Sequence, residues 1–212
     1  MFDYSLLHWT TFLVAAVLLT LSPGPDIAYI LAQTAKNGQR SGFAAMFGIW
    51  TGAFIHVLLA AVGLSAILAT SATAFAVVKW IGAAYLIWLG IQALRSDGAS
   101  YAADSPVSKT SNARIYWQGT LVAVLNPKVA VFFLAFLPQF VVEGAGPAAA
   151  QLFLHGSLLI VVAAFIEPPL VMLGAKLTRF LGENKRVARW MDRGLGTLFV
   201  GLGLRLAFSE RD

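Results

Sequence analysis

The chain has no cysteine, which excludes disulfides and thiol redox chemistry. Charge is scarce as well: only 12% of its 212 residues are Asp, Glu, Lys or Arg. Soluble domains carry about 25%. A water-facing surface is hard to make from such a mixture. Metal-ligand spacing is missing too, since His8, His56 and His155 lie far apart and no thiol accompanies them. No Walker-type phosphate loop and no Gly-x-Ser-x-Gly nucleophile elbow occurs, so ATP drive and elbow-type hydrolysis have no visible basis.

What is abundant is apolar surface. The chain is 58% hydrophobic, and mean hydropathy is +0.76. The apolar residues come in long continuous runs rather than in the alternation of a β-barrel strand. A spanning helix needs about 20 apolar residues. The expectation is an all-α integral membrane protein with about six transmembrane helices and no room for a soluble catalytic domain. The net charge of +5 falls mainly in short polar segments. The positive-inside rule explains that better than nucleic-acid binding, and no nucleic-acid partner is expected. The lipid bilayer is the expected surrounding.

Six spans are expected at about residues 6–31, 42–68, 75–94, 116–141, 148–174 and 195–208. The first resembles a signal-peptide core. It lacks a basic leader, and its small-residue site, Ser22-Pro23-Gly24, is full of proline, so it is expected to be retained. Residues 96–114 form the longest polar segment and read as a flexible linker. Lys36, Arg40, Arg95, Lys109, Arg114 and the six basic residues from Lys176 to Arg193 fall in three expected loops on one side. Those loops are assigned to the cytoplasm, with both termini outside.

The linker divides the chain into two three-helix halves, 1–95 and 115–212. Leu21-Ser22-Pro23 aligns with Leu125-Asn126-Pro127, and Leu89-Gly90-Ile91-Gln92 with Leu202-Gly203-Leu204-Arg205. An odd number of spans per half makes this a 3+3 inverted repeat, with helices one and four broken. Broken helices expose half-helix termini at depth, and the N-terminal ends favour anionic groups.

Several residues near the breaks are candidates for substrate binding or coupling. Ser22, Pro23, Gly24 and Pro25 interrupt span one, and Asp26 follows. A carboxylate in the membrane costs roughly 2.5–3.5 kcal/mol on insertion scales, so Asp26 should line a cavity or pair. It can bind an amine, carry a proton or simply salt-bridge. Asn126 and Pro127 interrupt span four, and Lys128 is the one basic residue deep in a span. Asp26 is its natural partner. Glu167, before Pro168-Pro169, is a second candidate proton carrier or an interfacial acid. The proline pair is expected to break or bend span five. His56 in span two either relays protons or hydrogen-bonds a neighbouring helix. Gly48 and Gly52 form a small-xxx-small pair for close helix packing. Trp50, Tyr85 and Trp88 either line a substrate path or pack.

The run Ser22-Pro23-Gly24-Pro25-Asp26 resembles the signature of the LysE/RhtB family of amino-acid exporters. So do Leu125-Asn126-Pro127-Lys128 with Phe132 to Phe140, and Gly82-Ala83-Ala84-Tyr85-Leu86-x-Trp88-x-Gly90. The similarity covers nearly the whole chain. It implies a bacterial inner-membrane exporter of amino acids or related metabolites, driven by proton exchange. No cofactor is expected, and with no activated nucleophile or metal site visible, neither is an enzyme. Whether it is a homo-oligomer, and which amino acid it takes, are left open. The alternatives are an exporter of another small solute or a cation, or a membrane assembly protein without transport activity.

Overall fold

A computed structural model describes residues 3–21, 24–66, 72–95 and 110–208. Ser22, Pro23 and most of the expected linker lie outside the described residues. All regular elements among the described residues are helical. They are α1 (Leu6–Leu21), α2 (Pro25–Asn37), α3 (Gln39–Leu59) and α4 (Ala72–Arg95). After these come α5 (Asn112–Val124), α6 (Pro127–Val131), α7 (Ala148–Glu183) and α8 (Lys185–Phe208). A π turn at Ala60–Leu64 prolongs α3. Another at Phe132–Phe136 and a 3-10 turn at Leu137–Phe140 prolong α6.

By length and apolar composition, Gln39–Leu64 and Ala148–Gly174 can each cross a membrane. The α1–α2 pair and the segment from α5 to Phe140 pass the same test, with bends of 48° and 47° at their breaks. That gives two spans, or up to four when each bent pair counts as one.

Several expected boundaries are corrected. α8 starts at Lys185, ten residues before the expected Leu195, and α7 continues to Glu183. Only Asn184 separates them, so the basic stretch from Lys176 to Arg193 is helical rather than a loop. Lys36 and Arg40 are helical too, with Gly38 alone between α2 and α3. Its φ of 84° lies in the left-handed region that glycine enters without steric cost. Lys and Arg are good helix formers whose long stems reach water beyond an apolar stretch, so charge alone does not end a helix. α7 also runs through Pro168-Pro169, as membrane helices can where neighbouring groups satisfy the freed carbonyls. α5 begins at Asn112, inside the expected linker, with the Ser111 hydroxyl accepting from the Arg114 amide.

α3 packs along α5, and α4 along α8. Glycines set the first crossing. A Cβ at Gly52 would lie 2.6 Å from the Thr120 carbonyl, and one at Gly48 would collide with the Tyr116 carbonyl. The small-xxx-small expectation therefore holds. Overpacking of this kind costs about 1–3 kcal/mol or more. Gly48→Leu is expected to lower thermal stability in detergent by at least that much. An unchanged unfolding curve would show that the crossing tolerates bulk.

α7 packs against α1, α2 and α3. A cluster around Phe12, Phe132, Phe133 and Phe136, each at most 2% exposed, fills the centre. The two breaks lie beside this cluster.

Candidate functional site

Each break restarts a helix with proline at its first position, where the missing N–H has no intrahelical partner to lose. Asn126 caps α6, its side-chain oxygen accepting from the Lys128 amide at 3.0 Å. Gly24 stands at the start of α2 in extended conformation, with no side-chain cap. Its value is space: a Cβ there would lie 2.7 Å from Asp26 Oδ1 and 2.8 Å from Lys128 Nζ.

The breaks bring together the acid and the base that follow them. Lys128 Nζ lies 3.3 Å from Asp26 Oδ1, with side-chain exposures of 5% and 13%. Asn126 Nδ2 donates to the same oxygen at 3.3 Å.

A second acid joins them. Glu167 is 5% exposed and accepts from Trp50 Nε1 at 2.6 Å. With Trp50, Asp26 and Lys128 it lines a small cavity of about 50 Å³, room for a water or two. Trp50 is thus a partner of the charged cluster.

Lys128 also borders a larger cavity of about 470 Å³. Gly24 and Pro25 line it from the first break, and Asn126 and Pro127 from the second. α4 contributes Tyr85, Trp88 and Gln92, and α8 contributes Asp192 and Phe199. The volume falls within the range of about 300–1,000 Å³ typical of small-molecule sites. Asp192, 3% exposed, is a cavity residue that sequence reasoning missed. Its signal was a helical stripe of Asp192, Gly196, Phe199 and Gly203, all buried.

His56 contacts a neighbouring helix. Its Nε2 lies 3.3 Å from the Ala123 carbonyl and 3.2 Å from that of Val124, at the end of α5. Pro127 has no N–H to offer the carbonyl four residues back, so His56 compensates for the break. Its ring stacks on Phe133.

At the far end of the bundle, His8 and His155 meet with 2.8 Å between their Nε2 atoms. His155 Nδ1 donates to the Gln151 carbonyl at 2.8 Å. In the neutral pair, His155 Nε2 therefore accepts and His8 Nε2 donates. Tyr4, Trp9, Phe12 and Phe140 surround His155. Gln151 ties the turn after α6 to α7 through Val142 and Gly146. This cluster joins α1 to α7 and fills that end with side chains.

The family model for the LysE type translocator matches residues 17–210. The chain belongs to the LysE type translocator family. It is accordingly a membrane transport protein rather than an enzyme. An uncharacterized membrane protein of Vibrio cholerae is 33% identical over 202 residues, 95% of this chain and 97% of that protein. The homoserine/homoserine lactone efflux protein of Salmonella typhi has the same identity and coverage. The leucine efflux protein of Salmonella choleraesuis is 28% identical over 97% of each chain. No solved structure matches the chain. Within this LysE type translocator, both breaks and the Asp26–Lys128 pair fall inside the matched segment.

Proposed function

We propose that this protein exports a small amino acid from the cytoplasm across the bacterial inner membrane in exchange for protons. The observation that carries this is the buried Asp26–Lys128 pair at the junction of two broken helices, with a cavity on either side of Lys128. The efflux activities named for the similar proteins from Salmonella support the substrate class.

The proposed architecture is six spans in a 3+3 inverted repeat, with halves 1–95 and 115–212 joined by a cytoplasmic linker. Reciprocal contacts between α4 and α8 support it. A Cβ at Gly90 would meet Gly196 and Val200, and one at Gly203 would meet Ala83 and Ile87. Adding 113 to 83, 87 and 90 gives 196, 200 and 203, so the contacts exchange under one offset. Antiparallel packing of two helices produces that pattern, and the third helices of two inverted halves are expected to run antiparallel.

The large cavity faces the cytoplasm in this arrangement. It lies where α4 ends at Arg95 and α8 begins, beside the exposed Arg186, Arg189 and Arg193. The His8–His155 cluster closes the opposite, outward end. An inward-open, outward-closed state is the one that loads substrate for export.

Lys128, Asp26 and Glu167 form a cluster of one base and two acids, with net charge −1 when all are ionised. Such a cluster adds a through-space attraction for the ammonium of a substrate in the large cavity, while the substrate carboxylate is drawn to Lys128. A proton on either acid brings the cluster to neutrality and removes that attraction. Proton and substrate then compete, as exchange requires.

Reconstituted protein in liposomes loaded with leucine or homoserine tests the proposal. Acidifying the outside is expected to accelerate efflux and to move protons inward. Efflux that ignores the pH gradient would remove the proton from the scheme, and no efflux of any amino acid would remove the substrate class.

A further inference from the structure

We propose that Asp192 is the carboxylate that recognises the α-ammonium group of the transported amino acid, at the end of the large cavity contributed by α8. This rests on the export reading above. Among the described lining residues of that cavity, Lys128 and Asp192 are the charged ones, of opposite sign. A zwitterion needs both signs, because a charge taken out of water is costly unless it is paired.

Asp26 serves the ammonium less well in this conformation. Its Oδ1 already receives Lys128 Nζ and Asn126 Nδ2, each at 3.3 Å. It borders the small cavity with Glu167, not the large one. Asp192 is buried and turned into the large cavity by the stripe that packs α8 onto α4. It is engaged with a neighbouring group here, so the incoming ammonium shares or replaces that contact.

The rest of the described lining is largely apolar and aromatic. Tyr85 and Trp88, with ring centroids 5.4 Å apart, line the α4 side, and Phe199 lines the cavity from α8. Such rings accept an aliphatic side chain and can lie over an ammonium edge. The described lining adds no third charge to meet a charged side chain. The class of ligand is therefore an α-amino acid with an uncharged side chain, held by Lys128 at its carboxylate and by Asp192 at its amine.

The test is leucine counterflow in proteoliposomes, with N-acetylleucine as competitor because it keeps the carboxylate and loses the ammonium. Wild-type protein is expected to be inhibited by N-acetylleucine at least about tenfold less well than by unlabelled leucine, the loss of one charge-assisted contact. Asp192→Asn is expected to raise the KM for leucine about tenfold or more, with inhibition by N-acetylleucine unchanged. Asp192→Glu should recover most of the leucine affinity. A purely structural role would weaken both ligands together. Equal inhibition by the two ligands in the wild type would overturn the proposal without any variant. An unchanged KM in Asp192→Asn would overturn it too. Absence of counterflow for leucine and for every other amino acid tested in the wild-type protein would instead overturn the export reading on which it rests.

Discussion

Lys128→Ala is expected to stop amino-acid efflux and to destabilise the protein. The variant leaves Asp26 buried beside Asn126 with its cation gone. Removing one partner of a buried ion pair costs roughly 3–5 kcal/mol, because the remaining charge is unpaired. The pair itself contributes less than that figure, since desolvation opposes its attraction. A double variant, Asp26→Asn with Lys128→Met, is therefore expected to regain most of the lost stability. It should not regain transport, because no cation remains for the substrate carboxylate. Thermal unfolding in detergent and efflux from loaded liposomes measure the two effects separately. Stability that stays low in the double variant, or transport that returns, would show that the pair has a different role.

Glu167→Gln is expected to separate exchange from its driving force. The amide can still accept from Trp50 Nε1, so the local packing is kept. What disappears is one titratable acid beside Asp26 and Lys128. Leucine-for-leucine counterflow should continue. Net efflux should stop responding to a one-unit pH gradient, which is worth about 1.4 kcal/mol per proton. If the variant's efflux rises with external acidity as steeply as the wild type's, Asp26 or another group carries the proton. If counterflow is lost as well, Glu167 acts in substrate binding rather than in coupling.

The breaks and their charged followers were legible because they violate the chain's own pattern. Pro-Gly-Pro and Asn-Pro have strong local consequences wherever they occur, and an isolated Asp26 or Lys128 in an apolar run demands a partner. The pairing of those two could be argued from the matched halves alone. Glu167 was recognisable as a buried-acid candidate, but its neighbours were not. Distance along a straight helix said nothing of how α7 crosses α2 and α3. Trp50 gained its role only from that crossing.

Asp192 was hidden for a different reason. It sits among Lys185, Arg186, Arg189 and Arg193, where dense charge read as a cytoplasmic loop. Helix propensity of Lys and Arg carries α8 through that stretch and turns one acid inward. The His8–His155 contact spans 147 residues and required tertiary packing to be seen. His56 fits a relay as well as a brace by residue type, and its two carbonyl partners at the α5 break were not visible in the sequence.

The central claim is that substrate enters from the cytoplasm and binds in the large cavity beside Lys128. The absence of native cysteine makes a single-cysteine probe unambiguous. Gln92→Cys places a thiol on the cavity lining, at an exposed position near the end of α4. A membrane-impermeant maleimide should label it in inside-out vesicles and not in right-side-out ones, and leucine should slow the labelling. Labelling from the outside alone, or a rate indifferent to every amino acid tested, would contradict the account.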